Sequence, residues 1–373
     1  MSVRSFIYIH IPFCIRKCNY CNFCSFPHNS CSVDDYLSIL KKEIDYKLKH
    51  NPVNEIQTVY LGGGTPSLLS LKQLEELLFF VDNYKLAADC EVTIEVNPKT
   101  VDKGYISQLK NLGINRISLG VQSFSDKLLQ ILGRPHNVTD VYNIVEYIKS
   151  SGINNLSIDL MYALPEQTIT IWEDTLNKAL DLEIQHISTY GLKIEPETPF
   201  AKLYYDGHES IPSDETAREM FLLTDEILTN SSFDHYEISN YAKKGMYSKH
   251  NLNYWHNNSY FGFGLSAHSF INGARCENSS VMSEYIANYK DHKNINILKS
   301  PEMIEDEIFL ALRTTSGIDI DKLNLKYTID FKYKYGYILK KYSEYFVIDG
   351  SNIRLNLEGM LLSNIILAEF LEV

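Results

Sequence analysis

Along the N-terminal half of the chain, short apolar runs alternate with longer segments of helical period. Runs rich in β-branched and aromatic residues occupy 6–13, 58–61, 91–96, 116–121, 156–161 and 186–192. Between them, apolar residues recur every three or four positions over 33–49, 71–84, 102–112, 138–150 and 170–180. The first pattern predicts buried strands and the second amphipathic helices. Their alternation predicts βαβ units around a parallel sheet. Such units are too few here for a closed eight-stranded barrel. The expected class is therefore α/β, an open, partial (β/α)6 barrel whose chemistry lies at the C-terminal ends of its strands. Near residue 300 the alternation stops. Residues 303–319 read as an amphipathic helix closed by Gly317, and 345–371 as a hairpin turning at Asp349-Gly350 followed by a helix. The expected organisation is a core domain over 1–235, a connecting segment over 236–295 and a smaller C-terminal helical, α+β domain over 296–373.

Composition narrows the classes. The chain has 373 residues, 45% of them hydrophobic, enough for a sizeable core. No apolar run is long enough to cross a bilayer. A net charge of −12 argues against a general nucleic-acid binder. The C-terminal helix-and-hairpin unit could read as a winged helix, but it has no dense basic helix, so a lid or docking unit over the open barrel end is expected instead. The 7 cysteines come without a secretory signal pattern, so free thiols and a cytoplasmic location are expected. The 26 tyrosines read as compositional bias.

The chemistry is concentrated where the predicted strands end. Cys14, Cys18 and Cys21 follow the first run at C-x3-C-x2-C. A disulfide framework does not suit a long chain with few cysteines. Zinc would ask for four ligands, for which Cys24 is a nearby candidate. Three thiolates on one loop also suit a [4Fe–4S] cluster with one iron left open, because such clusters otherwise take four Cys ligands. This spacing resembles that of the radical S-adenosylmethionine (SAM) enzymes, in which SAM takes the open position. After the second run comes LGGGTPS, 61–67, with no Lys to make it a phosphate loop. Its glycines give either a tight turn or a backbone edge that approaches a ligand closely. Glu95, Gln122, Arg134 and Asp159 also stand near strand ends. Each alone is equally a helix cap or a surface ion pair. Together they offer a guanidinium for a carboxylate and acceptors for ribose hydroxyls. His10 is either a wall of this site or structural, and His136 is a weaker candidate.

The ordered set YIHIPFCxxxCxYCxF, GGGTPS, EVNP, GINRISLGVQSF, LGRPHN and SIDLMYALPEQT resembles the oxygen-independent coproporphyrinogen III oxidase-like radical SAM family. The stretch HNLNYWHNNSYFGFGLSAHSF, 250–270, resembles that family's heme-chaperone branch. The likeness runs from about Tyr8 to Phe270. It implies Cys14, Cys18 and Cys21 as cluster ligands, and Tyr8, Tyr20, Gly63, Gly64, Thr65, Glu95, Gln122, Arg134 and Asp159 as contacts of SAM. It implies a [4Fe–4S] cluster, SAM and heme as bound groups, with heme passed to acceptor proteins, membrane-associated ones among them, and no nucleic-acid partner. The alternative is the oxidase itself, which decarboxylates coproporphyrinogen III through a radical. The oxidases resemble C-x3-C-x2-C-x-C, whereas here Phe23 stands where their last Cys would be. The short stretch before Tyr8 is a second expected mark of the chaperone branch. Cys24 reads as a free thiol packed in its loop. For heme iron, His250, His256 and His268 are candidates, with Tyr254 and Trp255 as stacking surfaces.

Overall fold

The computed structural model describes residues 4–204 and 208–371. Six strands form its centre: β1 (Arg4–Ile11), β2 (Glu55–Gly63), β3 (Leu86–Val96), β4 (Arg116–Gln122), β5 (Asn155–Tyr162) and β6 (His186–Gly191). They pair in sequence order, all parallel. The connecting helices are α1 (Val33–His50), α2 (Leu71–Asp82), α3 (Lys103–Leu109), α4 (Val138–Ser151) and α5 (Ile169–Asp181). Each starts on the side chain the sequence places there: Ser32, Ser70, Asp102, Asn137 and Thr168 accept from a backbone N–H of the first turn. Gly152 ends α4 in the left-handed region that such a cap requires.

The strands sort their side chains by parity. On β1, Ile7, Ile9 and Ile11 are fully buried toward the helices, whereas Tyr8 and His10 line a cavity. The same alternation sets Leu61 against Tyr60, Ile94 against Glu95, Ile117 against Arg116 and Ser118, and Ile158 against Asp159. One face thus makes the hydrophobic core, and the other makes a polar concave surface.

The expected partial barrel is present, but its sheet has nine strands. A short strand β9 (Phe261–Phe263) adds parallel to the outer side of β1. At the other edge β8 (Asn240–Ala242) pairs antiparallel with β6, and β7 (Asp234–Glu237) with β8. The segment after 235 therefore covers both edges of the sheet, which three- and four-residue strands could not announce by periodicity. A buried polar cluster fixes it: Lys47 Nζ donates to Glu43 and Asn278 Oδ1, both at 2.7 Å, while Glu43 accepts from Gly264 N at 2.8 Å and Tyr285 Oη at 2.6 Å. A buried ion pair with every oxygen satisfied holds one arrangement, because removing a partner strands a charge in the interior.

Beyond 300 a second core forms around Ile308, Phe331, Ile338, Leu355 and Phe370. The expected hairpin is Phe346–Asp349 with Asn352–Leu355, and Gly350 has φ +60°. Gly317 does not close the preceding helix, which ends at Ala311. It makes the turn into the strand Ile318–Asp319, where a side chain would meet Ile353 O. The final helical segment is two short helices, Leu357–Leu361 and Ser363–Ala368. Among the described residues no helix is long and apolar enough to cross a membrane.

Candidate functional site

A cavity of about 360 Å³ lies at the C-terminal ends of the strands. Every predicted site residue except Tyr8 lines it: Cys14, Cys18, Cys21, Tyr20, Gly63, Gly64, Thr65, Glu95, Gln122, Arg134 and Asp159. The cysteine loop is tied down on two sides. Gly64 N donates to Ile11 O at 2.9 Å and Phe26 N to Pro12 O at 2.7 Å. On the far side Asn19 N donates to Leu132 O at 3.0 Å, and Arg16 Nη2 to Gly133 O at 2.7 Å. A Cβ on Gly64 would sit 2.7 Å from Phe13 O, so only glycine lets the GGG strand end lie against the cysteine loop.

Arg134 is half-buried behind the loop. Its Nη2 donates to Gly120 O at 2.7 Å and its Nη1 to Cys18 Sγ at 3.4 Å, while Nε has no partner. A Cβ on Gly120 would lie 3.0 Å from that guanidinium, so the glycine makes room for it. Past Gly120 the pairing with β5 slips by one residue, and Gln122 takes a φ of +68° that turns the chain at the cavity.

Two carboxylates face each other across the strands. Glu95 accepts from Tyr60 Oη at 2.9 Å and from Gly63 N at 3.0 Å, and Asp159 accepts from Ser118 Oγ at 3.2 Å. Burial first, and then the neighbouring Asp159, push the Glu95 carboxyl up to about 7. Burial likewise raises Asp159, opposed by Ser188, Arg116 and Ser118. Arg116 lies beneath both, 1% exposed, with Nε unpartnered. Sequence reading passed over Arg116 and Tyr60. Their signal was parity: each takes a cavity-facing position of its strand.

The raised Glu95 makes an expectation about pH. A carboxyl held above its ordinary 4.5 binds its proton more tightly in the folded chain. Its contribution to stability is therefore largest below that ordinary value and is lost as pH rises through about 7. Thermal unfolding of the ligand-free protein should show the wild type gaining on Glu95→Gln as pH falls from 7.5 to 5, settings chosen to span roughly that window. Parallel profiles would mean that Glu95 titrates normally.

A second cavity of about 630 Å³ shares Phe23, Gly63 and Glu95 with the first. Tyr8 lines this one, with its hydroxyl 3.0 Å from His10 Nδ1. His10 Nε2 lies 2.8 Å from Cys24 O, and burial lowers the imidazole pKa. His136 is buried apart, 3.2 Å from Val121 O, and burial with Arg134 lowers it to about 4. Of the heme candidates, His250 is 1% exposed with both nitrogens engaged, Nδ1 at 2.6 Å from Thr58 Oγ1 and Nε2 at 2.8 Å from Tyr254 Oη. Burial, aided by Arg116, lowers it to about 3. It is a structural pin, not a free ligand. His256 stands exposed at the end of the helix Lys249–Trp255. Tyr254 and His268 line the second cavity, whereas Trp255 lines neither.

The residues fit the expected groups by donor set. Three thiols, one with a guanidinium at its sulfur, suit iron, and the orphaned Arg134 Nε with two half-buried carboxyls suits a zwitterionic nucleoside. Among the described residues no three His, Cys, Asp or Glu side chains converge tightly enough for one metal ion. A cluster, ligated through separate irons, does not require that convergence.

Residues 8–179 match the sequence profile of the radical SAM superfamily. The chain is 37% identical over 372 residues to the heme chaperone HemW of Bacillus subtilis (strain 168), covering 98% of each. It is 38% identical over 272 residues to the heme chaperone HemW of Escherichia coli (strain K12), covering 71% of this chain and 70% of the relative. Its fold matches the structure of the Escherichia coli radical SAM enzyme coproporphyrinogen III oxidase (HemN), with a TM-score of 0.87 over 99% of this chain and 90% of that one, at 21% identity. At that identity the likeness establishes the fold alone. With a near-full-length relative and a radical SAM core carrying its three-cysteine loop, the chain belongs to the HemW family of radical SAM proteins.

Proposed function

We propose that the protein is a heme chaperone: it binds a [4Fe–4S] cluster, SAM and heme, and passes the heme to acceptor proteins. The observation that carries this reading is the near-full-length identity with relatives that are heme chaperones. Cys14, Cys18 and Cys21 would hold the cluster. Arg134 would meet the SAM carboxylate, with Glu95 and Asp159 accepting from its ammonium or ribose groups. The backbone of Gly63, Gly64 and Thr65, with Gln122, Tyr20 and Tyr8, would complete that site. When bound, the cluster supplies an electron at the iron that no protein thiolate fills. The protein's own part is to place two carboxyl acceptors and one guanidinium in one partly enclosed cleft, where charge-assisted bonds are stronger than in water.

On the same reading, 1–235 is the radical SAM core, 236–295 a connecting segment and 296–373 a docking or lid unit. The acceptors include membrane-associated proteins, the work is done in the cytoplasm, and nucleic acid is not a partner. The oxidase reading is weaker because Phe23 stands where the oxidases resemble one another in a fourth Cys.

The test is a titration of the anaerobically reconstituted protein with ferric heme. Saturation at one heme per chain with a shifted Soret band, followed by transfer of that heme to an apo acceptor, is the expected result. A chain that leaves the free-heme spectrum unchanged is not a heme chaperone.

A further inference from the structure

The second cavity adjoins the cluster and SAM site, shares Phe23, Gly63 and Glu95 with it, and extends beyond it toward the segment after 250. Its volume of about 630 Å³ lies in the range of cofactor sites, about 300–1,000 Å³. Its wall combines the aromatic faces of Phe23, Tyr254, Tyr260 and Phe270, which suit a flat ring, with polar side chains that suit the ring's carboxylates and iron. Phe23 is 65% exposed at the boundary between the two cavities, and Tyr260 stands edge-on to Tyr254 at 4.6 Å. Arg275 supplies a cation at the wall. Its Nε and Nη2 both donate to Asp306 Oδ2, at 3.0 and 2.7 Å, which holds the side chain still and leaves Nη1 for another carboxylate.

Iron-binding side chains on this wall can be sorted by what they already do. His10 has a partner on each nitrogen, and the hydroxyls of Tyr8 and Tyr254 are engaged with His10 and His250. Burial raises both the Tyr260 phenol and the Cys24 thiol, and the thiol, ordinarily the more acidic of the two, gives up its proton to iron more readily. Cys24 and His268 remain. Cys24 Sγ has a long contact to Ser280 O at 3.7 Å and a hydrogen bond with Ser266, weak thiol bonds that iron can replace. The His268 side chain is 65% exposed, with Nε2 3.5 Å from Glu277. The two belong to segments that the fold brings together, since His10 bonds Cys24 O from β1, and β1 pairs with β9, the strand just before the 264–268 turn.

Resting on the heme-chaperone reading, we propose that this second cavity is the heme seat, with Cys24 and His268 as the iron ligands and Arg275 receiving a propionate. Ferric iron takes the Cys24 sulfur as thiolate, the thiol proton passing to solvent, and accepts a nitrogen lone pair from neutral His268. No electron moves. The seat is thereby separate from the helix that carries His250, whose imidazole is already committed at both nitrogens.

Ferric heme titrated into the reconstituted wild type, Cys24→Ala, His268→Ala and the double variant tests this, followed by Soret absorption and electron paramagnetic resonance. Iron and sulfide analysis of each variant checks that the cluster is intact, and His256→Ala serves as an exposed-histidine control. Each single variant should shift the Soret band and resonance of the wild-type complex and weaken binding at least tenfold. The double variant should lose the one-to-one site, and Arg275→Gln should weaken binding with the band unmoved. Wild-type binding that none of the variants alters overturns this seat and leaves the chaperone reading standing. A wild type that binds no heme overturns both. Loss of cluster iron in Cys24→Ala alone would make Cys24 a cluster ligand and also overturn the assignment.

Discussion

Replacing Cys14, Cys18 and Cys21 together by Ala is expected to abolish the brown, oxygen-sensitive chromophore, because an iron–sulfur cluster is held through thiolates and this loop offers three into one cavity. The loop's own anchors survive the change, since they run through Ile11, Pro12, Asn19 and Arg16. The variant should therefore fold, and its unfolding transition should show as much. Iron and sulfide analysis after anaerobic reconstitution is the measurement. Retention of stoichiometric iron in the folded triple variant would show that the cluster is held elsewhere.

Arg134→Ala should weaken SAM binding about ten- to a hundredfold, because a charge-assisted hydrogen bond is worth roughly 1.5–3 kcal/mol and each ~1.4 kcal/mol is tenfold. The site argues for an effect at the upper end. Arg134 is half-buried, its Nε is buried without a partner, and Gly120 is kept free of a side chain to admit it. The same side chain donates to Cys18 Sγ, so calorimetry must use preparations matched for cluster iron. Arg134→Lys separates charge from shape: a lysine restores the charge but cannot reproduce the fork. Partial recovery with Lys is expected. SAM affinity equal to wild type in the Ala variant would remove Arg134 from the site.

Much of the fold was legible because two independent signals agreed. The strand and helix periods gave the six βα units, and the residues able to do chemistry fell at the strand ends, where such sheets place their sites. The polar lining was in plain sight as well. Inside the runs YIHI, TVYL, TIEV, RISLGV and SIDL the polar residue takes every second place, which is how Arg116 and Tyr60 reach the cavity beside Glu95 and Asp159. Reading those runs simply as buried strands missed them.

What stayed hidden depends on long-range contacts. No local pattern reports that Phe261–Phe263 pairs with β1, or that Glu43 and Lys47 on α1 meet Asn278 and Gly264. The second cavity is assembled from β1 and the cysteine loop that follows it, with Gly63, Glu95 and the segment after 250, which lie far from them in sequence. Tyr8 went to that cavity rather than the first because its place on β1 lies at the outer side of the six-stranded arc. His250 shows that a motif alone does not tell a ligand from an anchor. A histidine in a suggestive motif was available on paper, and two short hydrogen bonds had already taken it.

One anaerobic incubation tests the central claim most directly: the reconstituted protein is given heme, which dithionite holds in the ferrous state, and coproporphyrinogen III together with SAM and dithionite, and the products are separated by chromatography. The chaperone account predicts one heme retained per chain, coproporphyrinogen III recovered unchanged and no protoporphyrinogen IX. Protoporphyrinogen IX formed in quantity, with the heme left free in solution, would contradict it.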